Sequence, residues 1–142
     1  MHELVTNLHM HTRYSDGSGL HADIARAALQ AGLDVVIVTD HNVLVNGFEG
    51  YHRKNGKTLL MLTGEEVHDQ ARLPQKSHLL VLGCNREMAR FADDPQRLID
   101  RVRESGGLSF IAHPRDPALP LFHEEDISWD DWQVTGYTGI EL

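Results

Sequence analysis

Residues 34–42 read Asp-Val-Val-Ile-Val-Thr-Asp-His-Asn, an apolar run that passes directly into four polar side chains. Because the apolar residues are consecutive and mostly β-branched, we expect a strand over residues 34–39 that is buried on both faces. The polar residues Thr39-Asp40-His41 then stand at the C-terminal end of that strand. In barrel-like α/β folds this end of the strands carries the active site. The stretch therefore predicts a central strand and, next to it, the functional edge of the sheet.

A helix is predicted immediately before this strand, over residues 21–31. Ile24, Ala28 and Ala31 recur at helical spacing, so they share one face. Gly32 follows at the position where a glycine cap commonly ends a helix. A helix that leads into a buried strand indicates one unit of a repeating β-α arrangement.

A second helix is predicted to begin at Asp94-Pro95 and to end at Gly106-Gly107. Asp is a preferred N-cap residue, Pro is accepted in the first turn, and Gly interrupts helices. Short apolar runs between the helices indicate the remaining strands, and this alternation predicts an α/β domain with a mainly parallel sheet. The other expected strands cover residues 4–9, 58–63, 78–82, 108–112 and 139–142, and two short helical segments are expected within residues 46–55 and 128–132.

The 142 residues suit one domain, over residues 1–142, with one modest core. The last four residues, Gly139 to Leu142, begin a strand that has no following helix to cover it. We therefore expect the domain to be incomplete at its C-terminus, or its open sheet edge to be covered by another chain such as a second copy.

Composition excludes several classes of function. No apolar run approaches the roughly 18 residues that a membrane span needs, and the first residues lack the basic start and apolar stretch of a signal peptide. The single cysteine, Cys84, excludes an internal disulfide, so a reducing cytoplasm is the expected location. A formal net charge of −8 argues against a broad nucleic-acid-binding surface, which depends on many Lys and Arg contacts. A small phosphorylated ligand or a short nucleotide stays compatible with this charge, because bound cations would offset part of it.

The chain holds ten histidines, and five of them lie where predicted strands begin or end. His9 and His11 close the first strand, and residues two apart on a strand point to the same side. Carboxylates accompany them, since Asp16 follows the first strand and Glu65-Glu66 follows the strand at residues 58–63. Histidine and carboxylate on one edge are ligands that zinc, manganese and iron accept. The other histidines of this edge are His41, His78 and His113.

The remaining histidines lie off this pattern, and no predicted strand end brings them to the same edge. We expect them on the surface or in helices. They are His2, His21, His52, His68 and His123.

The polar ends of the strands form short motifs whose order is that of a known family. These are Leu8-His9-Met10-His11-Thr12 with Ser15-Asp16-Gly17, then Thr39-Asp40-His41-Asn42, Gly64-Glu65-Glu66-Val67, His78, Ala112-His113-Pro114 and Gly139-Ile140-Glu141. Taken together they resemble the PHP (polymerase and histidinol phosphatase) family of metal-dependent phosphoesterases, and the resemblance covers essentially the whole chain. The resemblance implies a distorted (β/α)7 barrel. The closing Asp-x-His motif of the family is absent, so we expect a barrel that is partial or open.

The resemblance also implies a metal cofactor of two or three divalent ions, either zinc, manganese or iron. By the family register Glu66 bridges two of the ions, and Glu65 points elsewhere because side chains alternate along a strand. The implied ligands are His9, His11, Asp16, His41, Glu66, His78 and His113.

The implied reaction is hydrolysis of a phosphate ester by a metal-activated water. Its substrate would be a small phosphomonoester, a nucleoside phosphate or a short oligonucleotide. The expected catalytic residues are Glu66, His41 and Asp40, with Asp40 orienting a histidine. Arg13 and Arg115 lie next to ligands in the sequence, so they are expected to hold the phosphate.

Two other functions remain open from the sequence. An amidohydrolase-type metal hydrolase also carries two histidines spaced as His9 and His11 on its first strand, although the metal-bridging lysine typical of such enzymes is not found at a strand end here. A non-catalytic metal-binding PHP module is the second alternative, because PHP domains also occur as accessory domains of polymerases.

Overall fold

The computed structural model describes residues 3–142 and forms a mixed α/β fold whose sheet is open and curled like half of a barrel. Neither of its two helices has the length or apolar character needed to cross a membrane. Two short 3₁₀ turns lie at Ala89–Phe91 and Pro120–Phe122. The regular elements are β1 (Thr6–Asn7), α1 (His21–Ala31), β2 (Val35–Val38), β3 (Gly50–Lys54), β4 (Lys57–Val67), β5 (Leu79–Leu82), α2 (Pro95–Glu104), β6 (Leu108–Ile111) and β7 (Gly139–Ile140).

The strands lie in the order β1-β2-β4-β5-β6-β7, and β3 pairs with β4 beside this path. Three pairings are parallel, namely β1 with β2, β2 with β4 and β6 with β7. The pairings of β3 with β4, β4 with β5 and β5 with β6 are antiparallel, so the prediction of a mainly parallel sheet is wrong for half of the sheet. The connection from β4 to β5 holds no helix, and a parallel connection needs a longer crossover that is usually helical.

The strand β4 connects the two parts of the curled sheet. Its first half pairs with β2 on one side and β3 on the other, and its residues from Gly64 onward pair with β5. At Gly64 the neighbouring strand comes so close that an added Cβ would lie 2.7 Å from the carbonyl oxygen of Val81. Only glycine therefore fits where β4 passes from one set of partners to the next.

The short helix predicted within residues 46–55 is wrong, because β3 forms a hairpin with β4 in its place. Asn55 and Gly56 connect the two strands, with φ angles of 53° and 76°. Two consecutive positive φ angles, with Asn before Gly, are typical of the tight turn that matches the twist of paired strands. The turn chemistry at these two residues decides the local structure.

Both long helices lie where the sequence predicts them, and each begins with a side-chain contact. The Asp94 carboxylate accepts a hydrogen bond from the Arg97 backbone nitrogen at 3.0 Å. At the start of α1 the Asp23 carboxylate accepts one from the Leu20 backbone nitrogen at 2.9 Å. Gly32 ends α1 with a φ of 82°, as expected of a glycine cap.

Each helix covers one part of the sheet and forms one core cluster. The helix α1 packs on β2 and β4, with Ala28, Val36 and Met61 fully or almost fully buried. The helix α2 packs on β5 and β6, and Trp129 is buried against them with 2% of its surface exposed. The helical turn predicted at residues 128–132 is wrong, because this segment forms no helix. The side chain of Trp129 is buried, and its backbone nitrogen donates to the carbonyl oxygen of His113.

Candidate metal centre

The carboxylate of Glu66 lies at the centre of a cluster of five histidines. Its side chain is fully buried, near the end of β4. The distances from its two oxygens to the nearest nitrogens of the five rings lie between 2.7 and 3.4 Å. They are 2.7 Å for His9 Nε2, 3.0 Å for His11 Nε2, 3.4 Å for His41 Nδ1, 2.8 Å for His78 Nδ1 and 3.0 Å for His113 Nε2.

The topology explains how distant segments reach one carboxylate. His9 and His11 follow β1, and His41 follows β2, so they leave the sheet at the C-terminal edge of parallel strands. His113 follows β6, whereas His78 precedes β5. Because β5 runs antiparallel to β6, the start of β5 lies beside the end of β6, and the backbone nitrogen of Ala112 donates to the carbonyl oxygen of His78 at 3.0 Å. The start of β5 therefore places His78 at the same edge of the sheet as the residues that follow the ends of β1, β2 and β6.

The alternation of β4 separates its two adjacent glutamates. Glu65 is as buried as Glu66, but its carboxylate accepts a hydrogen bond from the Met88 backbone nitrogen at 2.9 Å, away from the histidines. Its other oxygen has no hydrogen-bond partner among the described residues. Burial and the nearby Glu87 raise the pKa of Glu65 to about 7.

Most of these histidines also have a second acceptor, on the side facing away from Glu66. His9 Nδ1 lies 2.9 Å from Glu141, and His78 Nε2 lies 3.1 Å from the backbone oxygen of Gln75. His113 Nδ1 lies 3.4 Å from Asp116. A histidine held in this way presents one defined nitrogen to the inside, which is the arrangement found around metal ligands.

Asp16 occupies the exposed side of the cluster. Its two oxygens lie 3.1 Å from His11 Nδ1 and 3.6 Å from His41 Nε2, while its side chain is 67% exposed. The tight loop that carries it needs Gly17, because a Cβ at that position would collide with the backbone of His11. The loop therefore brings a carboxylate back over the histidine that precedes it.

Asp40 is buried beneath this loop. Its carboxylate accepts hydrogen bonds from the Thr12 backbone nitrogen at 2.6 Å, the Thr12 hydroxyl at 2.7 Å and the Ser15 hydroxyl at 2.8 Å. The Ser15 hydroxyl also lies 3.4 Å from His11 Nδ1. Asp40 thus holds the loop that carries His11 and Asp16, and the hydrogen bonds of the described residues connect it to a histidine only through Ser15.

The charges of the cluster are strongly coupled. Burial acts to raise the pKa of Glu66, but hydrogen bonds from His11, His113, His78 and His9 outweigh it and hold the pKa far below its usual range. Burial acts to lower the pKa of His9, but Glu66 and Glu141 raise it to about 9.

His41 shows the opposite effect. Burial, together with the neighbouring His11 and His78, lowers the pKa of His41. The hydrogen bond to Glu66 raises the pKa of His113. The buried carboxylate therefore stays charged, and His41 remains a neutral donor of a lone pair at neutral pH.

The donor set fits divalent cations. Imidazole and carboxylate are the ligands of zinc, manganese and iron, and they lie close enough together here to share an ion. Four groups of three residues each offer ligand atoms within 4.8 Å of one another. They are His9, His113 and Glu141; His9, His11 and Glu66; His11, Asp16 and His41; and His41, Glu66 and His78.

Both predicted phosphate-binding arginines lie outside the cluster. Arg13 is exposed, and its Nε donates to the backbone oxygen of Ser18 at 2.7 Å. Arg115 is exposed beside His113 on the loop after β6. Neither guanidinium forms an ion pair with the described carboxylates.

Sequence reasoning missed Glu141 as a member of the cluster. The pattern that identified the other members extends to it, because Glu141 directly follows β7, which pairs in parallel with β6.

The prediction that His68 lies on the surface or in a helix is wrong. Its side chain is 5% exposed, and its ring stacks on His78 at 4.3 Å between centroids. His21 lies in a helix, as predicted, but is buried against Phe48. His52 is partly buried in β3 and His123 is exposed, whereas His2 lies outside the described residues.

This chain is similar to other known proteins in sequence and in fold. The uncharacterized protein MJ1587 of Methanocaldococcus jannaschii is 25% identical over 122 residues, which cover 78% of this chain and 68% of that protein. A crystal structure from Bacteroides vulgatus, of a two-domain protein containing a predicted PHP-like metal-dependent phosphoesterase, superposes with a TM-score of 0.55 at 20% identity. The match covers 78% of this chain and 35% of that one, so the chain spans about a third of that protein, and the likeness is one of fold.

The match to a family model is more specific than the similarity to either of these two proteins. The family model described as PHP domain matches residues 7–102. This range is more than half of the chain and includes the last residue of β1, all of β2 to β5 and most of α2. It also contains Glu66 and four of the five histidines that surround it. The chain belongs to the PHP domain family.

Proposed function

We propose that the chain hydrolyses a phosphate ester with the help of divalent cations held by the histidine cluster. The observation that supports this most is the convergence of five imidazoles, from separate segments, on one fully buried carboxylate. Burying a carboxylate is costly unless it is paired, and five ring nitrogens exceed what a structural ion pair needs. A shared set of metal ligands accounts for both facts.

In this proposal Glu66 is a ligand common to neighbouring ions, since it belongs to two of the four groups that could hold one. His9, His11, Asp16, His41, His78 and His113 complete the ligand sets. Divalent ions, when bound, supply a Lewis acid for phosphoryl oxygens and a water activated near neutral pH.

The other residues of the site are assigned positioning roles. Asp40 fixes the loop of His11 and Asp16 through its bonds to Thr12 and Ser15. Glu141 fixes the ring of His9 by accepting from its Nδ1. Mutation of a carboxylate that orients a ligating histidine typically weakens metal affinity about 10–100-fold.

In this proposal the substrate enters on the side of the cluster where Asp16 is exposed. Arg13 and Arg115 both lie on loops that leave this edge, after β1 and β6 respectively, so either could reach a phosphate bound there. We propose small phosphomonoesters, nucleoside phosphates or short oligonucleotides as substrates, because a net charge of −8 disfavours long polyanions.

Metal content is the first test. Elemental analysis of protein purified without chelator is expected to find at least one equivalent of zinc, manganese or iron, and His9→Ala or Glu66→Ala is expected to remove it. His52→Ala is the matched control, because His52 lies in β3 and in none of the groups that could hold an ion. Wild-type protein without metal would refute the proposed centre.

Turnover is the second test. A panel of phosphomonoesters, phosphodiesters, amides and lactones is incubated with the protein and added manganese. Hydrolysis confined to phosphate esters is the expected result. Hydrolysis of amides or lactones alone would favour an amidohydrolase-type reaction, and tight metal binding with no turnover would favour a non-catalytic module.

A further inference from the structure

The two oxygens of Glu66 divide the histidine cluster into two halves. Oε1 lies 2.8 Å from His78 Nδ1 and 3.0 Å from His113 Nε2. The other three rings contact Oε2, and they are those of His9, His11 and His41. Different parts of the chain can therefore hold the two halves in place.

The ring of His78 depends on the loop that precedes it, residues 68–77 between β4 and β5. His78 Nε2 lies 3.1 Å from the backbone oxygen of Gln75 in this loop. Because a carbonyl oxygen only accepts, Nε2 donates the hydrogen bond, and Nδ1 is the nitrogen that faces Glu66. The position of the loop thus sets the orientation of the ring.

The loop after His113 is held by residues 126–131, which we call the bridging segment. The backbone nitrogen of Trp129 donates to the carbonyl oxygen of His113 at 3.0 Å, and that of Ile127 donates to the carbonyl oxygen of Asp116 at 3.1 Å. The backbone nitrogen of Asp116 donates to the Ser128 hydroxyl oxygen at 2.9 Å. The buried side chain of Trp129 anchors the bridging segment in the core under α2.

Arg72 joins the loop before His78 to the bridging segment. Its Nη1 lies 2.8 Å from Asp131 Oδ2, and its Nη2 lies 2.5 Å from Asp130 Oδ1. A planar guanidinium suits two such contacts at once, and this one is only 32% exposed. The hydroxyl of Ser77, the residue before His78, also donates to Asp130 Oδ1 at 2.9 Å.

A second ion pair joins the same two parts of the chain. Lys76 Nζ lies 2.8 Å from Asp126 Oδ2. The ammonium makes this one contact with a carboxylate, whereas the guanidinium of Arg72 makes two in a fixed geometry. Arg72 is therefore the main link between the loop and the bridging segment, and Lys76 supports it.

We propose that Arg72 is a positioning residue that holds the rings of His78 and His113 together at Oε1 of Glu66. It contacts neither ring, and it acts through the loop that carries Gln75 and through the bridging segment that binds the backbone of His113. Its consequence for metal binding rests on the proposed function. Without Arg72, a divalent ion on the Oε1 side is bound more weakly, while the Oε2 side keeps its own supports, Asp40 and Glu141.

The positioning role is tested first on the chelator-treated full chain, in which no metal holds the rings. Histidine is labelled with nitrogen-15, and NMR correlates the two nitrogens of each ring with its carbon-bound protons. Arg72→Gln is expected to shift the ring nitrogens of His78 and His113 and to leave those of His9 and His11 unchanged. A role confined to overall stability would leave every ring signal of the folded variant unchanged.

Zinc is then added at free concentrations set by a chelator buffer, and the same spectra follow each ring. In Arg72→Gln the responses of His78 and His113 should need about tenfold more free zinc than in the wild type. This is the lower end of the effect of losing an outer partner of a ligating histidine, because Arg72 acts one step further out. His9 and His11 should respond at the wild-type concentration.

Three further variants locate the effect. Arg72→Lys keeps the charge but not the two-pronged geometry, so its shifts should lie between those of Arg72→Gln and the wild type. The double variant Arg72→Gln with Asp131→Asn should bind zinc no more weakly than Arg72→Gln alone, because the two partners act as one unit. Arg101→Gln is the matched control, since Arg101 pairs with Glu104 at 2.7 Å within α2 and joins no separate segments.

The outcomes separate this inference from the proposed function. Unchanged ring signals of His78 and His113 in Arg72→Gln, or an equal loss of zinc affinity at all five rings, would overturn the positioning role. If Arg72→Gln does not fold, Arg72→Lys is subject to the same two criteria. If zinc shifts no ring of the wild-type protein, the proposed metal centre is wrong, and the spectra of the metal-free protein still decide the role of Arg72.

Discussion

Replacing Glu66 with glutamine removes the negative charge from the centre of the cluster and keeps the shape of the side chain. The carboxylate is fully buried, and four imidazole nitrogens lie within 3.0 Å of it, those of His9, His11, His78 and His113. Removing one partner of a buried charged group typically costs about 3–5 kcal/mol. The metal-free Glu66→Gln variant is therefore expected to lose free energy of unfolding in that range.

Urea denaturation followed by circular dichroism measures this loss, with and without manganese. Metal at 100 times its Kd is expected to stabilise the wild-type protein by about 2.7 kcal/mol, because the folded state alone binds it. Glu66→Gln should gain almost nothing, since the ligand common to two ion groups is lost. An unchanged m value would show that the variant unfolds from the same compact state.

The adjacent Glu65→Gln variant is the matched control. Glu65 is equally buried on β4, but its carboxylate contacts Met88 away from the histidines. It should keep the full response to manganese. If Glu66→Gln also keeps that response, Glu66 is not a metal ligand, and the reasoning from the five imidazoles is wrong.

Three further variants test the fold and its pH dependence. Burial lowers the pKa of His21 below its ordinary 6.5, so the unfolded chain binds the proton more readily and the free energy of unfolding falls as the pH drops below 6.5. His21→Phe replaces the ring that stacks on Phe48 with one that does not titrate, so urea titrations at several pH values should show a smaller fall. If the free energy of unfolding of the variant falls with pH as steeply as that of the wild type, this assignment is wrong. Asp94→Ala should cost about 1 kcal/mol in the same assay by removing the N-cap bond of α2, and wild-type stability would refute that role. Gly64→Ala should cost about 1–3 kcal/mol, because its Cβ meets the carbonyl of Val81, and an undiminished midpoint would mean that β4 and β5 can move apart.

The sequence predicts the two long helices and the places where histidines follow strands, because local chemistry determines both. The start and end of α1 coincide with the prediction, since the apolar spacing and Gly32 depend only on neighbouring residues. The strand over residues 34–39 is confirmed in its core as Val35–Val38. The three-residue motifs locate His9, His41 and His113 at the ends of strands for the same reason.

Features that depend on distant segments are missed. The direction of β5 follows from its partners β4 and β6, and no residue within β5 records it. The burial of His68 comes from stacking on His78, ten positions along the chain, and resembles no motif. The sequence predicts Glu141 as part of a strand, but its contact with His9 joins residues 132 positions apart in the sequence. The sequence therefore indicates which residues are candidates, and the topology decides which of them meet.

The long separation of the cluster's members has a consequence for how the protein folds. His9 and Glu141 are 132 positions apart, and the other members of the cluster come from segments spread between them. Closing such long loops is entropically costly and happens late, so no partly folded fragment can assemble the complete cluster. Metal uptake should then be among the last events of refolding, and the free energy of metal binding should stabilise the completed topology against unfolding.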